Sequence, residues 1–320
     1  MTSLADATTP AAANRKLGPA AMFHSPIIAL TLAALFWSGN FIAGRALRDH
    51  IDPVTLNFSR WLIALILLAP FVWRDMLTSV AVVRREWRLI LGLGATGIAS
   101  FHTLNYLALQ TTTATNALLT LSLAPIAILA GAATLGLERP NRRQLAGAIT
   151  SIVGAAILIT RGEFATIHDF VVGDLWMLVS VVIWAAYSLL LRRRPADLPP
   201  SVALAASIGV GLILLVPFLL LGSGTSFTAF VSLASLAGIG YVAVFASVLA
   251  FMFWSYGVSR LGPSRSGQFI LLMPVFGAAL AATLLGERLA PAEIAGALLV
   301  LAGIVIVEWR SQDRVARNMK

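Results

Sequence analysis

Three side chains stand out because each lies deep within an apolar stretch of the sequence: Arg60, His102 and Tyr106. A guanidinium inside an apolar helix must face protein or water. Arg60 could therefore hold an anionic group such as a carboxylate, pair with a helix-end carbonyl, or extend to the membrane surface. His102 and Tyr106 are four residues apart and share one helix face. An imidazole titrates near neutral pH, so His102 could carry a proton or act as a neutral hydrogen-bonding group.

Aromatic and neutral polar residues accompany these three. Aromatic faces contact apolar or cationic groups, while amides and hydroxyls orient the polar ends of a ligand. The set favours an amphipathic, net-neutral solute, although aromatic residues near span ends also form interfacial belts. The predicted cavity residues are Trp37, Asn40, Arg60, His102, Asn105, Tyr106, Trp184, Tyr187, Tyr241, Trp254 and Gln268.

Two prolines fall in the middle of apolar stretches, at Pro125 and Pro274. A proline has no N–H, so each leaves a carbonyl free one turn earlier, at Leu121 and Ile270. Membrane helices tolerate such breaks where a neighbour or a cavity satisfies the freed group. We predict hinges or cavity walls at both prolines, with a simple packing kink as the alternative.

The sequence offers little for catalysis or metal binding. Cysteine is absent, and no Ser/His pair, paired aspartates or metal-binding motif is recognisable. All 14 acidic residues fall in predicted loops, tails or span ends. No catalytic residue, metal or cofactor is therefore expected. A proton-driven transporter usually carries a carboxylate at mid-membrane depth, and we expect none here.

The amino-acid composition indicates that most of the chain lies within a membrane. Of 320 residues, 58% are hydrophobic and 12% are charged, against about 25% charged in a soluble domain. The net charge of +9 does not indicate nucleic-acid binding, since the basic residues form short clusters between apolar runs.

Ten apolar runs are each long enough to cross a hydrocarbon core of about 30 Å as a helix. A β-barrel would instead show alternating segments of about ten residues, which are not seen. The fold class predicted is therefore an all-α membrane protein. The predicted spans are 26–46, 53–73, 88–109, 114–136, 143–161, 172–192, 200–221, 230–257, 263–285 and 291–309.

The distribution of Lys and Arg predicts the orientation. With the N-terminus inside, the inside segments hold 18 of these residues and the outside segments hold four. Positive residues accumulate in cytoplasmic loops. We therefore predict that both termini are cytoplasmic, with tails at 1–25 and 310–320.

The two halves repeat. A shift of 149 residues places Pro125 on Pro274, and it places Glu138-Arg139 on Glu287-Arg288. Between residues 121 and 159, 14 of 39 positions are identical without a gap. Five helices per repeat is an odd number, so the second repeat enters the membrane from the opposite side. This predicts two inverted repeats, at 26–161 and 172–309, a transport architecture.

Several segments resemble one family. They are Leu35-Phe36-Trp37-Ser38-Gly39-Asn40-Phe41, Asn57-Phe58-Ser59-Arg60-Trp61, and the proline-to-Glu-Arg spacing that occurs twice. The chain resembles the EamA domain of the drug/metabolite transporter superfamily, twice over, and most resembles exporters of the YddG type. The resemblance implies a ten-helix exporter of amino acids or related metabolites that works by alternating access.

The predicted function is export of aromatic or neutral amino acids across a bacterial inner membrane, without obligatory proton exchange. Efflux of amphipathic or cationic drugs is the alternative, and an intramembrane enzyme or a receptor is less favoured. The expected partners are a small-molecule substrate and the lipid bilayer, and no nucleic acid. A monomer is compatible with the sequence, which leaves the assembly open.

Overall fold

A computed structural model of the chain describes residues 25–47, 51–166, 171–221, 233–285 and 288–308. Most of these residues are helical, and none of them forms a β-strand, so the all-helical prediction is confirmed for the described ranges. Helices suit this composition because every backbone polar group in hydrocarbon needs a partner within the protein. The predicted tails, apart from Ser25, lie outside the described residues.

The first half contains two interrupted helical stretches. The predicted third span runs from α4 through a π-helical segment, Gly94–Ser100, into α5, and the predicted fourth span is divided between α6 and α7. The helices are α1 (Pro26–Leu47), α2 (Pro53–Thr78), α3 (Val80–Arg85), α4 (Trp87–Leu93), α5 (Phe101–Ala108), α6 (Ala114–Leu121), α7 (Ala124–Thr134) and α8 (Arg142–Thr160).

The second half is interrupted at corresponding places. A π-helical segment, Val242–Leu249, joins α11 to α12, and a 3-10 turn, Phe269–Leu271, joins α13 to α14. The helices are α9 (Val172–Arg192), α10 (Pro200–Leu221), α11 (Leu233–Tyr241), α12 (Ala250–Leu261), α13 (Pro263–Gln268), α14 (Leu272–Leu285) and α15 (Pro291–Glu308).

Seven helical stretches among the described residues are long and apolar enough to cross a membrane. They are Pro53–Thr78, Asn116–Thr134, Arg142–Thr160, Val172–Arg192, Pro200–Leu221, Leu236–Leu261 and Pro291–Glu308. Large apolar side chains on these helices also face outward, and Phe71 and Leu221 are 84% and 85% exposed. An exposed apolar surface of this extent needs a nonpolar environment. The protein is therefore a multi-pass membrane protein.

Local sequence explains where several of these helices begin. The Asp52 carboxylate accepts hydrogen bonds from the Val54 and Thr55 backbone N–H groups, each at 3.0 Å, and caps α2. Asn141 caps α8 in a reciprocal arrangement with Gln144. Each cap satisfies backbone donors that the first helical turn leaves free.

Helices α8 and α15 pack along a seam of glycines. A Cβ atom at Gly147 would lie 2.6 Å from the Gly303 carbonyl oxygen, and one at Gly154 would lie 2.7 Å from that of Gly296. Residue numbers rise along α8 while they fall along α15, so the two helices run antiparallel in close contact. Only glycine permits so close an approach of the two backbones.

Candidate functional site

A cavity lies between α1, α5, α9 and the start of α14, with about 550 Å³ of non-protein space in and around its opening. Its wall combines aromatic, aliphatic and neutral polar side chains. None of the residues along it is an aspartate or a glutamate. The lining residues are Trp37, Asn40, Phe101, His102, Asn105, Tyr106, Leu109, Leu121, Trp184, Ile270 and Met273.

Six residues predicted from the sequence lie in this wall: Trp37, Asn40, His102, Asn105, Tyr106 and Trp184. They come from α1, α5 and α9, which the fold brings together around one space. The Asn105 side-chain oxygen accepts a hydrogen bond from the Ser180 hydroxyl at 3.2 Å, which fixes that amide. The apolar part of the wall, including Leu109 and Met273, was not predicted.

The other predicted residues lie elsewhere. Tyr187 lines a second pocket, and Tyr241 donates its hydroxyl hydrogen bond to the Phe36 carbonyl at 3.1 Å. Trp254 is buried against other rings, and Gln268 is buried with neither polar side-chain atom hydrogen-bonded to a described residue. Arg60 lies behind the cavity wall.

Stacked and edge-on rings close one end of the cavity; we call them the aromatic layer. Phe251 is its centre, with its ring centroid 4.9 Å from that of Trp61 and 5.8 Å from that of Trp184. Phe251 was not predicted, because one phenylalanine among many apolar residues carries no distinguishing signal. The layer comprises Trp37, Trp61, Phe101, His102, Trp184, Tyr187, Phe251 and Trp254.

The second pocket lies on the opposite side of the aromatic layer. It has about 260 Å³ of non-protein space in and around its opening, and Tyr187 and Phe251 form its boundary with the aromatic layer. The rest of its wall comes mainly from the end of α9 and the start of α10, including Leu191 and Pro200. The layer therefore separates two chambers within one bundle of helices.

Arg60 is fully buried, and its guanidinium donates to four neutral oxygens. Its Nε donates to Ser247 Oγ at 2.9 Å, and its Nη1 donates to Tyr106 Oη at 3.0 Å and Asn40 Oδ1 at 3.3 Å. Its Nη2 donates to the Ala246 carbonyl at 3.4 Å. Hydrogen bonds to a charged group each contribute about 1.5–3 kcal/mol. Tyr106 and Asn40 connect Arg60 to the cavity.

The π-helical segment Val242–Leu249 supplies two of these acceptors. Ser247 Oγ donates to the Val242 carbonyl at 2.8 Å while accepting from Arg60, and the Ala246 carbonyl also accepts from Trp37 Nε1 at 3.0 Å. In a π-helix the hydrogen-bond register widens, and such segments are frequent at functional sites. Here the segment directs backbone and side-chain oxygens toward α1 and α2.

Both predicted proline breaks meet the cavity. Pro125 lies in the first turn of α7 and Pro274 near the start of α14. The residues four positions earlier, Leu121 and Ile270, both line the cavity. The Ile270 carbonyl accepts a hydrogen bond from the start of α14, whereas no described backbone N–H donates to the Leu121 carbonyl.

The described residues contain no group of three or more His, Asp or Glu side chains that could hold a metal ion. Acidic side chains in the described ranges cluster at helix ends or in turns. Asp174, in the first turn of α9, accepts from the Val171 N–H at 2.9 Å, and Glu293, in the first turn of α15, pairs with Arg161 at 3.2 Å.

Apolar helices around a central, neutral-walled cavity are typical of multi-pass membrane transporters. The chain belongs to the EamA-like transporter family, whose model matches residues 24–160 and 171–309. A solved crystal structure has the same fold, with a TM-score of 0.73 and 21% sequence identity over 92% of this chain and 98% of that one.

Relatives match along most of their length. An uncharacterised transporter of Archaeoglobus fulgidus is 28% identical over 87% of this chain and 95% of its own. A "Probable terminal-alkyne amino-acid exporter" of Streptantibioticus cattleyicolor is 28% identical over 89% and 94%. A "Probable amino-acid metabolite efflux pump" of Salmonella typhimurium is 27% identical over 86% and 92%. The protein is thus a transporter rather than an enzyme.

Proposed function

We propose that this protein exports neutral amino acids with apolar or aromatic side chains, and related metabolites, by alternating access. The observation that carries the proposal is the pair of chambers separated by the aromatic layer. A solute in the larger chamber could reach the smaller one only if the rings of Phe251, Trp184 and their neighbours rearranged. Exposing one site to each side in turn requires such a barrier.

Ten spans in two inverted repeats would supply the two conformations. The antiparallel seam of α8 and α15 supports this, because Gly147 corresponds to Gly296 and Gly154 to Gly303 under the 149-residue shift. Exchanging the two halves therefore turns the contact between Gly147 and Gly303 into the contact between Gly296 and Gly154, as a twofold axis requires. The π-helical segments Gly94–Ser100 and Val242–Leu249 also correspond under that shift, to within one residue.

We further propose that both termini lie on the cytoplasmic side of a bacterial inner membrane. The larger chamber then faces outward, since it lies toward the end of α5, and the smaller one faces the cytoplasm. Arg85, Arg192 and Arg194 would lie at the cytoplasmic face, where positive residues accumulate.

Amino acids fit the wall of the cavity. The aromatic and aliphatic residues could hold an apolar side chain, and Asn40, Asn105 and Tyr106 could orient its polar end. Two relatives with names that refer to amino acids or their metabolites support the substrate class. Drug efflux is less favoured, because no described carboxylate lies along the cavity to attract a cation.

Flux in reconstituted vesicles tests the proposal. Vesicles loaded with labelled phenylalanine should release it faster with the protein than without it, and unlabelled neutral amino acids should compete better than quaternary ammonium ions. The reverse order of competition would favour drug efflux and contradict the proposal.

A matched pair of tryptophan substitutions tests whether transport depends on the cavity wall. Trp184→Ala removes a ring from the cavity wall and should lower the initial rate about tenfold or more, since buried aromatic anchors dominate binding. Trp73→Ala removes a ring that is 63% exposed on the outer face of α2, and it should leave the rate unchanged. Melting temperature and gel-filtration profile establish that both variants fold.

A further inference from the structure

No acidic side chain among the described residues pairs with the buried guanidinium of Arg60. Arginine stays charged at any workable pH, and Arg60 is fully buried. The ion pairs among the described residues involve Arg85, Arg161 and Arg265. All four oxygens that accept from Arg60 are neutral. A buried charge without an opposite charge is costly, and the Trp61 ring, with its centroid 5.2 Å from the guanidinium carbon, offsets only part of that cost.

Two of the residues bound to Arg60 also line the cavity, and each keeps a donor for a ligand. Asn40 accepts from Arg60 through Oδ1, which leaves its NH₂ group without a described partner. Tyr106 accepts from Arg60, and its hydroxyl donates only a long hydrogen bond, at 3.5 Å, to Asn40 Oδ1, which a carboxylate oxygen in the cavity could replace. Donors that are polarised by a cation bind anions strongly.

Trp184 has a further donor close to the same wall. Its ring lines the cavity, and its buried Nε1–H has no protein partner among the described residues. No Asp or Glu is among the lining residues. The polar part of the wall is therefore electropositive, and the remainder is apolar.

We propose that this wall is a carboxylate site, in which Asn40 and Tyr106 bind the carboxylate of an apolar substrate and Arg60 supplies the compensating charge from behind. The proposal rests on the proposed transport of amino acids for its choice of ligands. It goes further in stating that the carboxylate is required for binding. The amino group contributes less, because no acidic residue lines the cavity to hold it.

Phenylalanine and two of its analogues separate the contributions of the carboxylate and the amino group. 3-Phenylpropionate has the carboxylate without the amine, phenylalaninamide has the amine without the carboxylate, and phenylalanine has both. Binding is measured as the shift in melting temperature of the purified protein in detergent, and inhibition is measured on labelled phenylalanine flux. We expect 3-phenylpropionate to bind and inhibit about as well as phenylalanine, and phenylalaninamide to bind at least about tenfold more weakly, given the strength of hydrogen bonds to a charged group.

Two conservative substitutions test the residues. Tyr106→Phe removes only the hydroxyl and should weaken 3-phenylpropionate about tenfold. Asn40→Asp places a carboxylate of the same shape beside Arg60, so the protein itself would neutralise that charge. We expect this variant to melt at or above the wild-type temperature and to lose 3-phenylpropionate binding by tenfold or more. Tyr256→Phe, on α12 away from the cavity, is the matched control and should bind like the wild type.

The outcomes are separable from those of the proposed function. If phenylalanine is transported but phenylalaninamide binds better than 3-phenylpropionate, or if Asn40→Asp binds 3-phenylpropionate normally, the carboxylate site is refuted while amino-acid transport stands. If 3-phenylpropionate binds in a way that depends on Tyr106 but phenylalanine does not move, the site stands and amino-acid export fails.

Discussion

At the scale of single residues, Arg60, Asn40 and Tyr106 form one hydrogen-bonded group beside the cavity. His102, Asn105 and Tyr106 could be predicted as wall residues because a polar group in an apolar helix needs protein or water beside it. Leu109 and Met273 could not be, since an apolar side chain faces lipid, core and cavity equally well. The partners of Arg60 were also beyond prediction, because Ser247 lies 187 positions away in the chain.

His102 is the residue that bears on whether transport is coupled to protons. His102 lines the cavity, and its nearest charged neighbour in the described structure is Arg60 rather than a carboxylate. We interpret it as a neutral member of the wall rather than a proton carrier. The described acidic residues, at helix ends and in turns, do not offer the mid-membrane carboxylate that proton coupling commonly uses.

We therefore predict that a pH gradient alone will not concentrate phenylalanine in vesicles. His102→Gln, which keeps a polar side chain of comparable size, should lower the initial rate less than about threefold, as expected for loss of a neutral hydrogen-bonding group. The measurement is accumulation of labelled phenylalanine at equal concentrations with an imposed pH gradient. Several-fold accumulation that His102→Gln abolishes would identify His102 as the proton carrier.

At the scale of elements, the sequence predicts the helices well and their interruptions less well. The predicted spans and the observed helices overlap because runs of apolar residues of sufficient length favour one structure in lipid. The two π-helical segments had no signal in the sequence: Gly94–Ser100 contains glycine, but Val242–Leu249 contains only apolar residues and Ser247. Tertiary hydrogen bonds to Ala246 accompany the second segment.

The glycine seam between α8 and α15 supports a prediction on stability. Gly154→Ala places a methyl group 2.7 Å from the Gly296 carbonyl oxygen, so the helices must separate. Overpacking of this kind costs about 1–3 kcal/mol. Gly209→Ala, where a methyl group meets no atom within 4 Å, is the matched control. Thermal unfolding in detergent should show a lower melting temperature for the first variant and an unchanged or higher one for the second.

At the scale of the whole molecule, the absence of cysteine from the sequence makes topology directly measurable. Ala165 follows α8 and Pro140 precedes it, and both residues are exposed. The proposed orientation places residue 165 outside and residue 140 in the cytoplasm. A membrane-impermeant maleimide applied to intact cells should label Ala165→Cys and not Pro140→Cys, and lysed cells should label both. Labelling of Pro140→Cys alone would reverse the orientation.

The aromatic layer also determines how membrane voltage acts on transport. Packed rings exclude ions, so under the proposed mechanism most of the potential falls across the layer when it is closed. Moving one elementary charge through 100 mV involves about 2.3 kcal/mol. A zwitterion such as phenylalanine crosses without moving net charge, and its flux should not respond to a potassium diffusion potential. A monoanion such as 3-phenylpropionate would instead be driven outward by the inside-negative potential of a living cell, so that the cell's own voltage would make its export one-directional.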